Sequence, residues 1–183
     1  MLAEDKKALL ALARESIQTY FSEDEPSVSK VKHLDKKQGV FVTLTENKEL
    51  RGCIGFPHAV MPLYKAVIEA AISAAFGDPR FPILTEEELP MIEIEISVLT
   101  EPVLIKVESS EQYMKEITLG EDGLILRSIY GSGLLLPQVA TEHNMTATQF
   151  LNALSQKAGL YFDAWKDLKN QIFKFQAEVF SEK

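Results

Sequence analysis

The strongest constraint on what this chain can fold into is a strict two-residue alternation. "MIEIEISVL", residues 91 to 99, puts Ile92, Ile94, Ile96 and Val98 on one face of a strand with polar residues between them. "IFKFQAEVF" repeats the pattern with Phe173, Phe175, Ala177 and Val179. Helical periods occupy other segments. Leu9, Leu10, Ala13, Ile17, Tyr20 and Phe21 recur at three- and four-residue intervals as an apolar stripe that "SEDEPS" ends. "PLYKAVIEAAISAAF" starts at Pro62, suited to a first helical position, and its alanines allow close backbone approach; "GDPRFP" stops it.

Two hairpins are expected. "GVFVTLT" (39 to 45) passes through the polar "ENKE" into "LRGCIGF", and "GLILRSIYGSGLLLPQVA" contains Tyr130-Gly131-Ser132-Gly133, residues tolerant of the positive φ of a tight turn. "TEEEL" reads as a short helix, and Pro102 opens a short strand, "VLIKV". Thr146 and Gln149 fit a capping box for a helix that buries Phe150, Leu151, Leu154 and Ala158 and ends at Gly159. Without repeats, low-complexity linkers or regular βαβ alternation, the pattern is α+β with antiparallel strands.

Composition sets the class. At 183 residues and 46% hydrophobic content the chain can bury a core as one domain or two small ones. No apolar run approaches the roughly 20 residues of a membrane span, and the opening "MLAEDKKALLALARES" reads as a helix rather than a secretion signal. A cytoplasmic protein is expected. The balance of 19 Lys+Arg to 27 Asp+Glu, net -8, leaves no basic run to neutralise phosphates, so nucleic acid is not an expected partner. The single cysteine excludes an intrachain disulfide. His33, His58 and His143 are too scattered to suggest a metal site, so none is expected.

That cysteine lies in "LRGCIGFP", residues 50 to 57. Strand alternation places Arg51, Cys53 and Gly55 on one face and Leu50, Gly52, Ile54 and Phe56 on the other, so the guanidinium is expected to bias the thiol toward thiolate. Glycines inside a strand point to a bulge or to something approaching the backbone closely, a ligand or the alanine-rich helix. Arg51 calls for a carboxylate partner or an anionic ligand. Cys53 is either a nucleophile or a small buried residue; His58 is tied to it by no local motif. "GDPRFP" offers Asp78 and Arg80 to a ligand or pairs them locally. Glu93 and Glu95 share a face as an acid/base pair or a solvated surface. "GSG" is a turn rather than a phosphate cradle, and His143 is an ordinary loop residue.

These blocks carry a resemblance. "LRGCIG" (50 to 55), "FGDPRFP" (76 to 82), "IEISVL" (94 to 99), "DGLIL" (122 to 126), "LLPQVA" (135 to 140) and "FQAEVF" (175 to 180) resemble, in order, the AMMECR1-like domain family. The resemblance implies protein A of the AmmeMemoRadiSam system, hence association with a Memo-like protein, itself similar to non-haem iron dioxygenases, and with a radical-SAM protein. It implies no established activity and names no cofactor. It also implies a larger domain with an antiparallel sheet and flanking helices, placed at 1–57 and 118–183, a smaller inserted α+β domain at 58–117, and a cleft between them lined by the LRGCIG side chains.

Two readings follow. The first is an accessory binding module that takes a peptide, protein or metabolite through Arg51, Gly52, Ile54, Gly55, Asp78 and Arg80. The second is an enzyme with Cys53 as nucleophile or as ligand to a shared metal.

Overall fold

The computed structural model describes residues 1–22 and 24–182. It is α+β, with antiparallel strands and flanking helices, and divides into two compact units: residues 1–99 with 178–183, and residues 100–177.

The first unit contains helix α1 (Ala3–Ser22), strands β1 (Val40–Glu46) and β2 (Glu49–Phe56), helix α2 (Leu63–Phe76) and strand β3 (Ile92–Leu99). The strands run in the order β2-β1-β3, antiparallel throughout. Val40, Val42 and Leu44 lie opposite Val98, Ile96 and Ile94, so the alternation read from the sequence makes one continuous apolar face. Helices α1 and α2 cover it with Leu9, Ala13 and Ile17 and with Ala66, Ala70 and Ala74, all in the same core. The resemblance set residues 58–117 apart as a smaller part; here α2 and β3, both inside that range, share their core with the β1–β2 hairpin. The reason is the alanine face of α2, which lets the helix sit directly on the hairpin.

The hairpin turn is Asn47-Lys48, both at positive φ (52° and 69°), the handedness that matches strand twist in a two-residue turn. Tyr20 and Phe21, the last members of the α1 stripe, are 53% and 36% exposed rather than buried.

The second unit contains β4 (Val103–Leu104), α3 (Tyr113–Glu116), β5 (Asp122–Ser128), β6 (Gly131–Leu135), α4 (Pro137–Glu142), α5 (Ala147–Lys157) and β7 (Gln171–Ser181), whose residues from Glu178 onward belong to the first unit. Strand order is β4-β7-β5-β6. The Thr146/Gln149 capping box forms, Phe150, Leu151 and Leu154 are buried, and Gly159 has φ +74°. The second hairpin turns at Ile129-Tyr130, two residues earlier than expected. Gly131 and Gly133 lie inside β6, where an added Cβ would stand 2.1 Å from the Ala158 carbonyl oxygen and 2.5 Å from the Ala158 nitrogen. Close approach of α5, not positive φ, therefore requires these glycines. No helix of the described residues is long and apolar enough to cross a membrane.

Candidate functional site

The site is built on β2. Between Leu44 and Thr45 the register against β1 slips: Thr43 opposes Cys53, Leu44 opposes Gly52, and Thr45 opposes Leu50. Arg51 is the extra residue of a β-bulge. A bulge shifts the parity of every side chain beyond it. Leu50, not Arg51, therefore shares the Cys53 face, and the expected guanidinium–thiol pair does not form.

Arg51 turns to the segment after α2. Its Nε and Nη2 donate to the two carboxylate oxygens of Glu88 at 2.7 and 3.1 Å, and Nη1 donates to the Pro82 carbonyl at 3.0 Å. Of the two partners that the sequence left open, carboxylate or ligand, the fold supplies the carboxylate. Glu88 also accepts from the Thr85 backbone N–H at 2.7 Å, closing the first turn of the short 3₁₀ helix Glu86–Glu88. The Arg51 hydrogen bonds, with Thr85's help, hold Glu88 below its ordinary pKa.

Gly52 and Ile54 face the helical layer. A Cβ on Gly52 would lie 2.1 Å from the Ala74 carbonyl oxygen, so the glycine makes room for α2, and Ile54 packs against the core. A Cβ on Gly55 would lie 2.2 Å from the Val40 carbonyl oxygen on β1. Packing thus accounts for Gly52, Ile54 and Gly55, three of the positions the sequence offered for binding.

Cys53 stands on the other face, in a row with Thr43 and, through Thr43, Glu95. The outer edge of β2 is taken at this residue by "GDPRFP". Buried Asp78 accepts from the Cys53 backbone N–H at 2.9 Å, and Arg80 Nη2 donates to the Cys53 carbonyl at 3.2 Å. The two side chains replace the hydrogen bonds that a further strand would make, which protects an exposed sheet edge. Asp78 and Arg80 are also joined by three hydrogen bonds, from Nε to Oδ1 at 2.9 Å, from Nη2 to Oδ2 at 2.7 Å and from the Arg80 backbone N–H to Oδ1 at 3.1 Å. Arg80 remains half exposed, with its guanidinium 5.4 Å from the Phe81 ring centre. The hydrogen bonds from Arg80, supported by that from the Cys53 N–H, hold the Asp78 carboxyl well below the usual carboxylate range.

Burial pushes the Cys53 thiol up; a hydrogen bond from the Thr43 hydroxyl (3.3 Å) and the charge of Arg80 oppose this, while Asp78 and Glu95 add to it. The thiol is therefore protonated at neutral pH, the form that is not nucleophilic. Its alkylation by iodoacetamide at pH 7.5 is expected to run no faster than that of free cysteine and to accelerate only in alkaline buffer. A faster rate than free cysteine would mean an activated thiolate.

Acid should loosen the clamp. Both Asp78 and Glu88 have folded pKa values below their unfolded ones, so their contribution is complete above the carboxylate range and is lost as pH falls below about 4. The urea midpoint is expected to drop progressively as pH falls below about 4, and less steeply in an Asp78→Asn, Glu88→Gln double variant. Equal slopes would place the acid sensitivity elsewhere.

Among the described residues no group of three His, Cys, Asp or Glu side chains is arranged to hold a metal ion. Sequence reasoning missed two members of the site. Thr43 gave no signal in a run of β-branched residues, and Glu88 looked like one of three interchangeable glutamates. Glu88 lies six residues beyond Pro82, whose carbonyl accepts from the same guanidinium.

Comparison with known proteins gives a consistent result. The AMMECR1 family profile matches residues 10–180. A protein of Methanothermobacter thermautotrophicus is 44% identical over 187 residues, covering 98% of this chain and 95% of the relative. One from Pyrococcus furiosus is 46% identical over 182 residues, covering 95% and 86%. The crystal structure of an uncharacterised protein from Pyrococcus horikoshii superposes with a TM-score of 0.94 at 41% identity, covering 100% of this chain and 94% of that one.

Proposed function

The chain belongs to the AMMECR1 family, and from that premise we propose that it is an accessory binding module rather than a cysteine enzyme. It takes a peptide, protein segment or metabolite at the β2 face and acts with a Memo-like and a radical-SAM protein in the cytoplasm. The cleft-lining role that the resemblance gives the LRGCIG side chains is part of this proposal.

One observation carries it: Arg80 is the half-exposed charged group of the cluster, and Asp78 holds it in one orientation. A guanidinium fixed from behind by a buried carboxylate loses little side-chain freedom when an anionic group arrives, which favours recognition. Arg51 is committed to Glu88, and the Cys53 thiol is raised by burial. Those facts weigh against the alternative of Cys53 as nucleophile. A shared metal on Cys53 would need its remaining ligands from a partner.

Titration calorimetry of the purified chain against the Memo-like and radical-SAM proteins of its own organism tests this. Arg80→Ala is expected to weaken the complex about tenfold, and Cys53→Ser to leave it unchanged. Equal affinity of wild type and Arg80→Ala sinks the proposal. Loss confined to Cys53→Ser shifts the reading to the thiol.

A further inference from the structure

The C-terminal ends of α1 and α2 meet at an exposed aromatic corner that the β2 site does not use. The rings of Tyr20 and Phe76 are stacked with centres 3.9 Å apart, and Phe21 stands edge-on to both, at 6.4 and 5.4 Å. Tyr20 and Phe21 close an otherwise buried helix stripe, yet they are 53% and 36% exposed. Two large exposed rings at adjacent positions leave apolar area uncovered that the core does not require.

The helix ends and the exposed carboxylates of the corner are negative. Helices of 20 and 14 residues both end here, each placing about half a negative charge at its last carbonyls, and neither has a basic residue in its last turn. Exposed Asp24 and Glu25 lie two and three residues past Ser22, the last residue of α1. Asp78, just beyond α2, is already matched by Arg80. An aromatic face carries its negative charge above the ring plane, so rings, helix ends and carboxylates all favour a cation.

We infer that this corner docks a basic segment of a partner protein. One Lys or Arg side chain lies against the open face of Tyr20 with Phe21 as a second wall, and a neighbouring basic residue meets Asp24 and Glu25. The rings already touch one another and enclose no cage, so a small free cation gains only an open surface. A chain segment adds contacts along both helix ends. The inference is independent of the role proposed for Arg80 and Cys53.

The test is a nuclear magnetic resonance titration of the full chain with penta-arginine amide, with penta-glutamate amide and tetramethylammonium chloride in parallel. Penta-arginine is expected to shift resonances of residues 19–22, Asp24, Glu25 and residues 74–78 first. Affinity should fall about fivefold in a Tyr20→Ala, Phe21→Ala variant and again in Asp24→Asn, Glu25→Gln. Both altered pairs are at the surface, and an unchanged amide spectrum elsewhere verifies their folding. Shifts scattered over acidic residues of the whole chain, or affinity unaffected by loss of the two rings, overturn the inference. So does tetramethylammonium binding as tightly as penta-arginine, which would make the occupant a free organic cation.

Discussion

Glu88→Ala is expected to cost about 3 kcal/mol of unfolding free energy, far more than a typical surface glutamate. The side chain it removes is the counter-charge of Arg51, whose own side chain is only 10% exposed. Breaking one side of a buried pair leaves a desolvated guanidinium with only the Pro82 carbonyl for company, and that residual charge is the main cost. A cycle separates this from the loss of the Thr85 cap, which is worth about 1 kcal/mol. If the unpaired charge dominates, adding Arg51→Met to Glu88→Ala restores part of the stability, because an apolar side chain of similar length needs no partner. Urea denaturation of the four proteins measures it. A double variant as unstable as Glu88→Ala alone would assign the cost to the cap.

Gly52→Ala is the second large effect, expected to cost about 3 kcal/mol or more. The new Cβ would stand 2.1 Å from the Ala74 carbonyl oxygen, and that atom belongs to the helix backbone, so no side chain can swing aside. Helix α2 must move off β2, opening the contact that the alanines make possible. Gly159→Ala is the control. That glycine has φ +74° with nothing within 4 Å of the added Cβ, so its cost is conformational only, about 1 kcal/mol. Denaturation midpoints of the two variants should therefore differ clearly. Equal midpoints would mean that α2 tolerates displacement and that Gly52 is not a packing requirement.

Both predictions rest on details that a linear reading only half reaches. Gly52 was legible as a place of close approach, and the alanine-rich helix was one of two candidates for what approaches. The bulge was equally foreseeable from the glycines, but its position was not. One extra residue at Arg51 separates Arg51 from Cys53 and reassigns the charge beside the thiol from Arg51 to Arg80. The same limit affected the α1 stripe, where Tyr20 and Phe21 continue the helical period without being covered. It also affected Gly131 and Gly133, where glycine signals closeness to α5 rather than a turn.

Periodicity, capping pairs and turn chemistry are local, so residues within a few positions determine them. The alternation of β3, a hairpin turn within residues 46–49 and the Thr146/Gln149 cap could thus be derived from the chain alone, as could the α+β class. Partnerships between distant residues belong to another order of information. That Arg51 meets Glu88, 37 positions away, and that Asp78 takes the N–H of Cys53, 25 positions away, depends on how α2 settles onto the hairpin. Burial then decides the chemistry. The same thiol would ionise more readily in water, because its place in the folded layer disfavours the charged form.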